Sequence, residues 1–257
     1  MWLFFGDARL PADERPPIPH APELDAPPDQ WRAVYGEIEF DCPHWSVFEN
    51  AIDMAHIHFL HSGSFGNPDA PRIEGMAAKR ESCFSVASEF VIHNKPVSKL
   101  WEWTSPPDNS VPVVARAMLP STSSVQIALA RGVSMITFVN TVPIDERRAV
   151  NRFCLVRNFA LSKVFDGQAR RAMHKILEED KVMVERVRPD RVRREYSLGP
   201  DAPQVAFRKL RQEWVDLGYA TKQGLGASRP AISAAGASGG GGGTGGDKGG
   251  RDARPDL

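Results

Sequence analysis

Cysteine is scarce in this sequence, and neither sign of charge is in excess. The 257 residues include three cysteines, Cys42, Cys83 and Cys154, and no Cys-x-x-Cys pair. They are too few and too scattered for a disulfide framework, which indicates a reducing compartment. Lysine plus arginine (32) balances aspartate plus glutamate (32), so no overall positive field would collect nucleic acid. We therefore expect a small-molecule substrate and no nucleic-acid partner.

Long uninterrupted apolar runs are lacking as well. The longest apolar stretch, residues 125–144, is interrupted by Arg131 and Asn140 and is rich in β-branched residues. That composition is typical of paired strands rather than of a membrane span, so no transmembrane helix is predicted. The apolar start, residues 1–7, lacks the basic leader and the cleavage site of a signal peptide. We interpret it as a strand.

Composition divides the chain into four parts. Residues 1–8 would form the last strand of a domain that is otherwise absent from this sequence. Residues 9–30 are rich in proline, which removes hydrogen-bond donors and keeps a linker extended. Residues 31–220 are long enough for one large domain with its own core. Residues 221–257 are mainly small and charged residues with a run of five glycines, and are predicted to be a disordered, non-catalytic tail.

The periodicity of apolar residues predicts an α+β fold. Alternating patterns predict strands at residues 31–40, 83–92, 100–104, 111–119, 125–129, 134–142 and 150–158. Helices are predicted from about Ser46, over 161–187 and over 203–217. This order predicts a curved, mostly antiparallel sheet crossed by a long C-terminal helix.

Histidine is concentrated in one short segment. Four of the seven histidines fall within 18 residues: His44, His56, His58 and His61. Imidazole and carboxylate ligands suit Fe(II), Mn or Zn better than an iron–sulfur cluster. On a straight helix His56 and His61 would point about 140° apart. Both can reach one metal only if the helix ends or bulges between them, and Ser62 and Gly63 favour a helix end. His58 projects away from His56 and is not expected to be a ligand.

A carboxylate on the long helix is the candidate third ligand. Apolar residues form a stripe at helical spacing: Ala169, Met173, Ile176, Val184 and Val187. Asp180 lies within this stripe, where an ionised carboxylate is costly unless it is paired or bound to a cation. Glu178 and Glu179 are expected to point outward. Taken singly, each histidine or acid fits an ordinary core or surface role, so the metal hypothesis depends on their combination.

Two segments resemble Rieske non-haem iron oxygenases. The family's iron-binding signature is Asn, two residues, Asp, two residues, His, four residues and His, and this spacing occurs in residues 49–61. Residues 177–185 resemble the late helix of the vanillate O-demethylase branch, whose aspartate completes the site. The resemblance extends over roughly residues 1–219.

Carried over position by position, the resemblance implies a mononuclear Fe(II) site made by His56, His61 and Asp180. Asp53 would be the bridging carboxylate that relays electrons from a Rieske cluster in a neighbouring subunit, and Asn50 would lie near the iron. The resemblance also implies a helix-grip fold and a homotrimer. Residues 1–8 would then be the last strand of a Rieske domain.

The Rieske cluster itself is not expected within these residues. The family binds its [2Fe–2S] cluster through a Cys-x-His and a later Cys-x-x-His pair. Here only Cys42-Pro43-His44 has the first spacing, and no Cys-x-x-His occurs. We therefore expect the cluster in a preceding region or on a partner chain, with a ferredoxin or reductase as electron donor.

The function that the resemblance implies is O₂-dependent hydroxylation or oxidative demethylation of a hydrophobic ring substrate. The substrate class stays open between an aromatic compound and a chlorophyll-type tetrapyrrole, because the resemblance extends to chlorophyllide a oxygenase and pheophorbide a oxygenase. An algal, chlorophyll-related protein would be chloroplastic and any other would be cytoplasmic. A helix-grip protein that binds an apolar ligand without a metal is the alternative. A zinc hydrolase is weaker, because no positioned general base follows the two histidines.

Overall fold

Seven antiparallel strands form one curved sheet in the computed structural model, which describes residues 11–15, 17–95, 109–187 and 196–217. The strands are β1 (Arg32–Phe40), β2 (Ile73–Arg80), β3 (Ser85–His93), β4 (Ser110–Met118), β5 (Thr122–Ala130), β6 (Val133–Pro143) and β7 (Ala149–Arg157). Their order in the sheet is β1-β7-β6-β5-β4-β3-β2. Consecutive strands β2 to β7 are therefore neighbours, and β1 pairs with the last of them.

Within the described residues, four α-helices lie against this sheet. They are α1 (His44–Ile52), α2 (Ile57–Leu60), α3 (Asp166–Val184) and α4 (Ala202–Asp216). The long helix α3 packs mainly on β1 and β7, whereas α4 packs on β2 and β3. This arrangement confirms the predicted α+β class, with a long helix held by a curved antiparallel sheet in a helix-grip fold. None of the helices in the described ranges combines the length and the apolar character that crossing a bilayer requires.

One face of the sheet forms the core against α3. Alternate residues of β1, including Val34 and Phe40, pack against Phe153 of β7 and against Met173 and Val184 of α3. The β1–β7 ladder places Gly36 opposite Phe153. A Cβ at Gly36 would lie 2.3 Å from the Phe153 ring, so glycine lets this aromatic side chain fill the layer between the sheet and the helix.

Strand β2 was not predicted. Its burial does not alternate in the way that marks a strand with one buried face, because it lies at the sheet edge and most of its side chains are at least partly exposed. Its pairing with β3 shifts register between Glu74 and Ala77, beside Gly75 at φ 73°. An irregular edge strand leaves little period-2 signal.

The long helix differs from its predicted limits at both ends. It begins at Asp166 rather than 161, after a 3₁₀ turn over Lys163–Phe165 whose preceding residue, Ser162, accepts a hydrogen bond from the Val164 amide. It ends at Val184, and Val187 is 43% exposed. Placing Val187 in the buried stripe was therefore wrong, because the chain has left the helix by that residue.

The proline-rich segment is not extended throughout. Short 3₁₀ turns occur at Ala12–Glu14 and Pro22–Leu24, and Leu24 and Trp31 pack on the face of the sheet that points away from α3. The end of the segment is thus part of the folded domain. The predicted strands at residues 1–8 and 100–104 and the predicted disordered tail lie outside the described residues.

Candidate metal centre

The two signature histidines lie at the ends of a single helical turn. Helix α1 ends at Ile52, His56 immediately precedes α2, and His61 follows Leu60 and opens a 3₁₀ turn. The chain from His56 to His61 is therefore not one straight α-helix. This break is what both histidines need in order to reach a shared metal ion. Their imidazole rings lie 5.3 Å apart, centre to centre, and are tilted by 71°.

Helix α3 brings Asp180 to these two rings. The Nε2 atoms of His56 and His61 each lie 3.4 Å from Asp180 Oδ1. One ligand atom from each of the three residues lies within 4.8 Å of the others. Ligand atoms about 2.1 Å from a common ion are roughly 3–3.5 Å apart, so a single cation fits between these three atoms with little movement.

The buried carboxylate of Asp180 faces two imidazoles but accepts no hydrogen bond at Oδ1 from the described residues. Asp180 is only 8% exposed, and its position in the apolar stripe predicted this burial. Its Oδ1 atom has no hydrogen-bond partner among the described residues. A buried carboxylate oxygen left without a partner is costly. A cation would remove that cost, and two imidazoles with one carboxylate suit Fe(II).

The charges of Asp180 and His56 depend on each other. Burial by itself raises the pKa of Asp180, but the facing imidazoles outweigh it and lower the pKa to about 2. Burial lowers the pKa of His56, but Asp180 and Asp53 outweigh it and raise the pKa to about 9. His56 is therefore protonated at neutral pH in the metal-free protein, and a metal ion must displace that proton.

A carboxylate also faces the second ring nitrogen of each histidine. Asp53 Oδ2 lies 3.4 Å from His56 Nδ1, and Glu179 Oε2 is hydrogen-bonded to His61 Nδ1 at 2.8 Å. The expectation that Glu179 points outward was wrong. It lies about 100° around α3 from Asp180, on the side where the 3₁₀ turn His61–Gly63 and Ser64 lie, which hydrophobic periodicity along α3 alone does not reveal.

The loop after His61 is tightly folded back on α2. The amides of Ser64 and Gly66 both donate to the His61 carbonyl, at 2.8 and 2.9 Å. A Cβ at Gly66 would lie 2.3 Å from the Ile57 carbonyl oxygen, so this contact requires glycine. Phe65 stacks on the His61 ring at a centroid distance of 5.2 Å. Neither the fold-back nor the stacking was foreseen.

The remaining candidate residues lie beside this group but outside it. His58 is fully buried and its Nδ1 accepts from the Asn67 amide at 3.4 Å, so it is not one of the three converging ligands. Asn50 is a buried residue of α1 whose Oδ1 has no hydrogen-bond partner in the described part of the chain, and its role stays a prediction. Cys42 packs in the core, where burial raises its pKa to about 11. That environment opposes the thiolate that a cluster ligand needs.

Residues 40–217 match the family described as the vanillate O-demethylase oxygenase C-terminal domain. The chain belongs to this family. This match confirms the resemblance to Rieske oxygenases at the level of their C-terminal domain. Because oxygenases are oxidoreductases, the family is one of oxidoreductases. A search of curated proteins finds no match.

Solved structures share the fold of this vanillate O-demethylase-type domain. Dicamba monooxygenase bound to 3,6-dichlorosalicylic acid is 21% identical with a TM-score of 0.62, over 77% of this chain and 64% of that one. NdmA of Pseudomonas putida CBB5 with caffeine is 19% identical with a TM-score of 0.62, over 78% of this chain and 56% of that one. The chain thus spans less than two thirds of the length of these proteins.

Proposed function

We propose that this domain is the catalytic domain of a Rieske-type non-haem iron monooxygenase. The observation that carries the proposal is the convergence of His56, His61 and Asp180 around a buried carboxylate oxygen that accepts no hydrogen bond from the described residues. Membership of an oxygenase family supports it. The reaction would be O₂-dependent hydroxylation, or oxidative demethylation by hydroxylation of a methyl group.

Each residue of the site has a separate task in this proposal. The Nε2 atoms of the two histidines and Asp180 Oδ1 would hold Fe(II). The iron would supply a centre with open positions at which O₂ is activated. Asp180 would neutralise one positive charge of the ion inside the buried site. Phe65, stacked on His61, would limit the access of water to that ring.

Electron delivery would run through the His56 side of the site. Asp53 is partly exposed, at 24% for its side chain, and faces His56 Nδ1. It can therefore contact both a docked partner and a ligand of the iron. We propose that a Rieske [2Fe–2S] centre in another domain or subunit supplies electrons by this route, reduced in turn by a ferredoxin or reductase. A homotrimer would bring such a centre from the neighbouring subunit.

The substrate would lie between the sheet and the helices. On the face of β5 and β6 that points toward the helices, Val125, Ile127 and Met135 are only partly buried, whereas the residues on the same face of the neighbouring strands β4 and β7 are buried. Phe65 packs against the same cluster as Val125 and Ile127 and also stacks on His61. This continuity of apolar contacts up to a proposed metal ligand supports a hydrophobic ring substrate, either an aromatic compound or a chlorophyll-type tetrapyrrole.

Metal content tests the proposal directly. Protein reconstituted anaerobically with Fe(II) is expected to bind about one iron per chain, and His56→Ala or Asp180→Ala should abolish that binding. Adding substrate, donor and a Rieske partner should start O₂ uptake with Fe(II) but not with Zn(II). A protein that binds an apolar ligand equally well without iron would instead be a helix-grip binding protein. Hydrolysis with Zn(II) and no O₂ uptake with Fe(II) would indicate a hydrolase.

A further inference from the structure

We propose that Glu179 is a positioning residue for the iron site, which it serves by fixing the orientation and tautomer of His61. The inference rests on the proposed function, because it takes His61 as an iron ligand. It assigns a role to a residue that neither the signature spacing nor the apolar stripe singled out. Glu179 does not touch the site where iron would bind, and it acts only through the imidazole ring.

The first observation is the hydrogen bond itself. Glu179 Oε2 lies 2.8 Å from His61 Nδ1, and the side chain of His61 is only 3% exposed. A carboxylate accepts but does not donate, so this contact places the proton of a neutral His61 on Nδ1. Nε2, which lies 3.4 Å from Asp180 Oδ1, is then the free lone pair that a metal ion needs.

The second observation is that Glu179 is itself held in place. The Ser64 hydroxyl donates to its carboxylate, at 3.0 Å to Oε1, and Lys175 Nζ lies 3.8 Å from the same oxygen. Lys175 also donates to the Gly63 carbonyl at 3.1 Å. These contacts join one face of α3 to the loop that follows His61. The carboxylate is therefore ordered before any metal binds, which reduces the entropy that orienting His61 would otherwise cost.

The third observation is that α3 carries Asp180 and Glu179 at adjacent positions. Helix α3 thus supplies one candidate ligand, Asp180, and also the carboxylate that supports His61, a candidate ligand from a different segment. A small rotation or shift of α3 would move both carboxylates together. This geometry links the packing of α3 to the geometry of the metal centre.

Glu179→Gln tests the role, and Glu178→Gln is the matched control. Glu178 is an exposed neighbour on the same helix, so its substitution makes the same change of charge without touching His61. Fe(II) affinity would be measured by competition with a chelator, and site geometry by the visible absorption spectrum of the Co(II)-loaded protein. We expect Glu179→Gln to weaken Fe(II) binding by about 10-fold, within the ~10–100-fold range typical of such contacts, and to alter the Co(II) spectrum. Glu178→Gln should match the wild type in both.

The outcomes separate this inference from the proposed function. A wild-type protein that binds neither Fe(II) nor Co(II) contradicts the metal site as a whole. A wild type that binds both, with Glu179→Gln and Glu178→Gln indistinguishable from it in affinity and spectrum, overturns the role of Glu179 alone. A purely structural role would lower the thermal midpoint of the metal-free protein and leave the affinity of the folded fraction and its spectrum unchanged, which also overturns the inference.

A second variant keeps the test decisive if Glu179→Gln does not fold. Glu179→Asp retains the negative charge but withdraws the carboxylate by one methylene, beyond hydrogen-bond reach of His61 Nδ1. We expect it to fold and to weaken Fe(II) binding by severalfold, with the same direction of change in the Co(II) spectrum. Wild-type affinity together with a wild-type spectrum in this variant would overturn the role.

Discussion

The two histidines of the candidate metal centre are supported in different ways. Asp53 is only three residues from His56, and its Oδ2 atom lies 3.4 Å from His56 Nδ1. Its other oxygen accepts from the Ala55 amide at 2.8 Å. Glu179 reaches His61 from 118 residues away and makes a 2.8 Å hydrogen bond. One support is local and loose, and the other is tight and depends on the tertiary packing of α3.

This difference suits two different tasks. The partly exposed carboxylate of Asp53 can contact a partner, and its long contact with His56 lets it do so with little effect on the metal ligand. A hydrogen-bonded carboxylate beside the buried His61 holds the ring rigidly. Under the proposed function, the site would have an electron-entry side at His56 and a structural side at His61, with Asp180 contacting both histidines.

Removing Asp180 is expected to have the largest effect, because it is the residue that both sides share. Asp180→Ala should abolish detectable Fe(II) binding, a larger effect than the ~10–100-fold weakening that loss of an outer contact costs. It should also lower the pKa of His56, since Asp180 contributes more than Asp53 to raising that pKa. Chelator competition and NMR titration of the histidine ring measure the two effects. An unchanged pKa of His56 would contradict the coupling described above.

The stability of the metal-free protein should fall as the pH rises above neutral. The pKa of His56 is raised from 6.5 to about 9 in the folded protein, so its charged contacts stabilise the fold fully below pH 6.5. That contribution is lost as the pH rises through 9, by at most about 3 kcal/mol. The pKa of Asp180, lowered from 3.8 to about 2, gives the opposite dependence, with stability lost as the pH falls below 3.8. Urea unfolding in EDTA from pH 6 to 9 measures the first effect, and Asp180→Asn should reduce it.

Asp53→Asn should separate electron entry from metal binding. Because the Asp53–His56 contact is long, we expect Fe(II) affinity to fall less than in Glu179→Gln. Donor-dependent O₂ uptake should fall far more than affinity does. Chelator competition and an oxygen electrode, with a Rieske partner present, measure the two quantities. Equal losses of affinity in the two variants would contradict the division into two sides.

How far the sequence predicted this site depended on how local each contact is. His56 and His61 are close in sequence, so their spacing is a local pattern. Asp180 could be found because it interrupts an apolar stripe of which Met173 and Val184 are buried on either side of it. The contact between Glu179 and His61 joins segments that are distant in sequence, so no local pattern contains it. The same limit applies to strand β2, whose existence depends on pairing with β3 at the sheet edge and not on its own periodicity.

The limits of strand β5 also depend on pairing with other strands and not only on the local pattern. The strand predicted over 125–129 extends over Thr122–Ala130, because hydroxyl residues at its start are buried. Thr122 is fully buried and pairs with Asn140 across the ladder. Apolar alternation assigns such polar residues to a turn, whereas pairing with two neighbouring strands extends the strand through them.

A substitution at Asp166, the first residue of α3, is expected to have the smallest effect on the metal site. It therefore serves as a control for the comparison. Asp166 is ion-paired with Arg32 and with the buried Arg157, at 2.5 and 2.7 Å, and the two guanidinium groups hold the pKa of Asp166 well below its usual range. Asp166→Asn would leave Arg157, 2% exposed, short of a counter-charge. We expect the thermal midpoint to fall by about 5 °C.

Fe(II) affinity of the folded Asp166→Asn protein should change by less than twofold, because Asp180 lies nearly four turns further along α3. Differential scanning calorimetry and chelator competition measure the two quantities. A loss of affinity comparable to that of Glu179→Gln would mean that the site responds to the position of the whole helix. The contact between Glu179 and His61 would then be one route among several by which α3 packing reaches the metal centre.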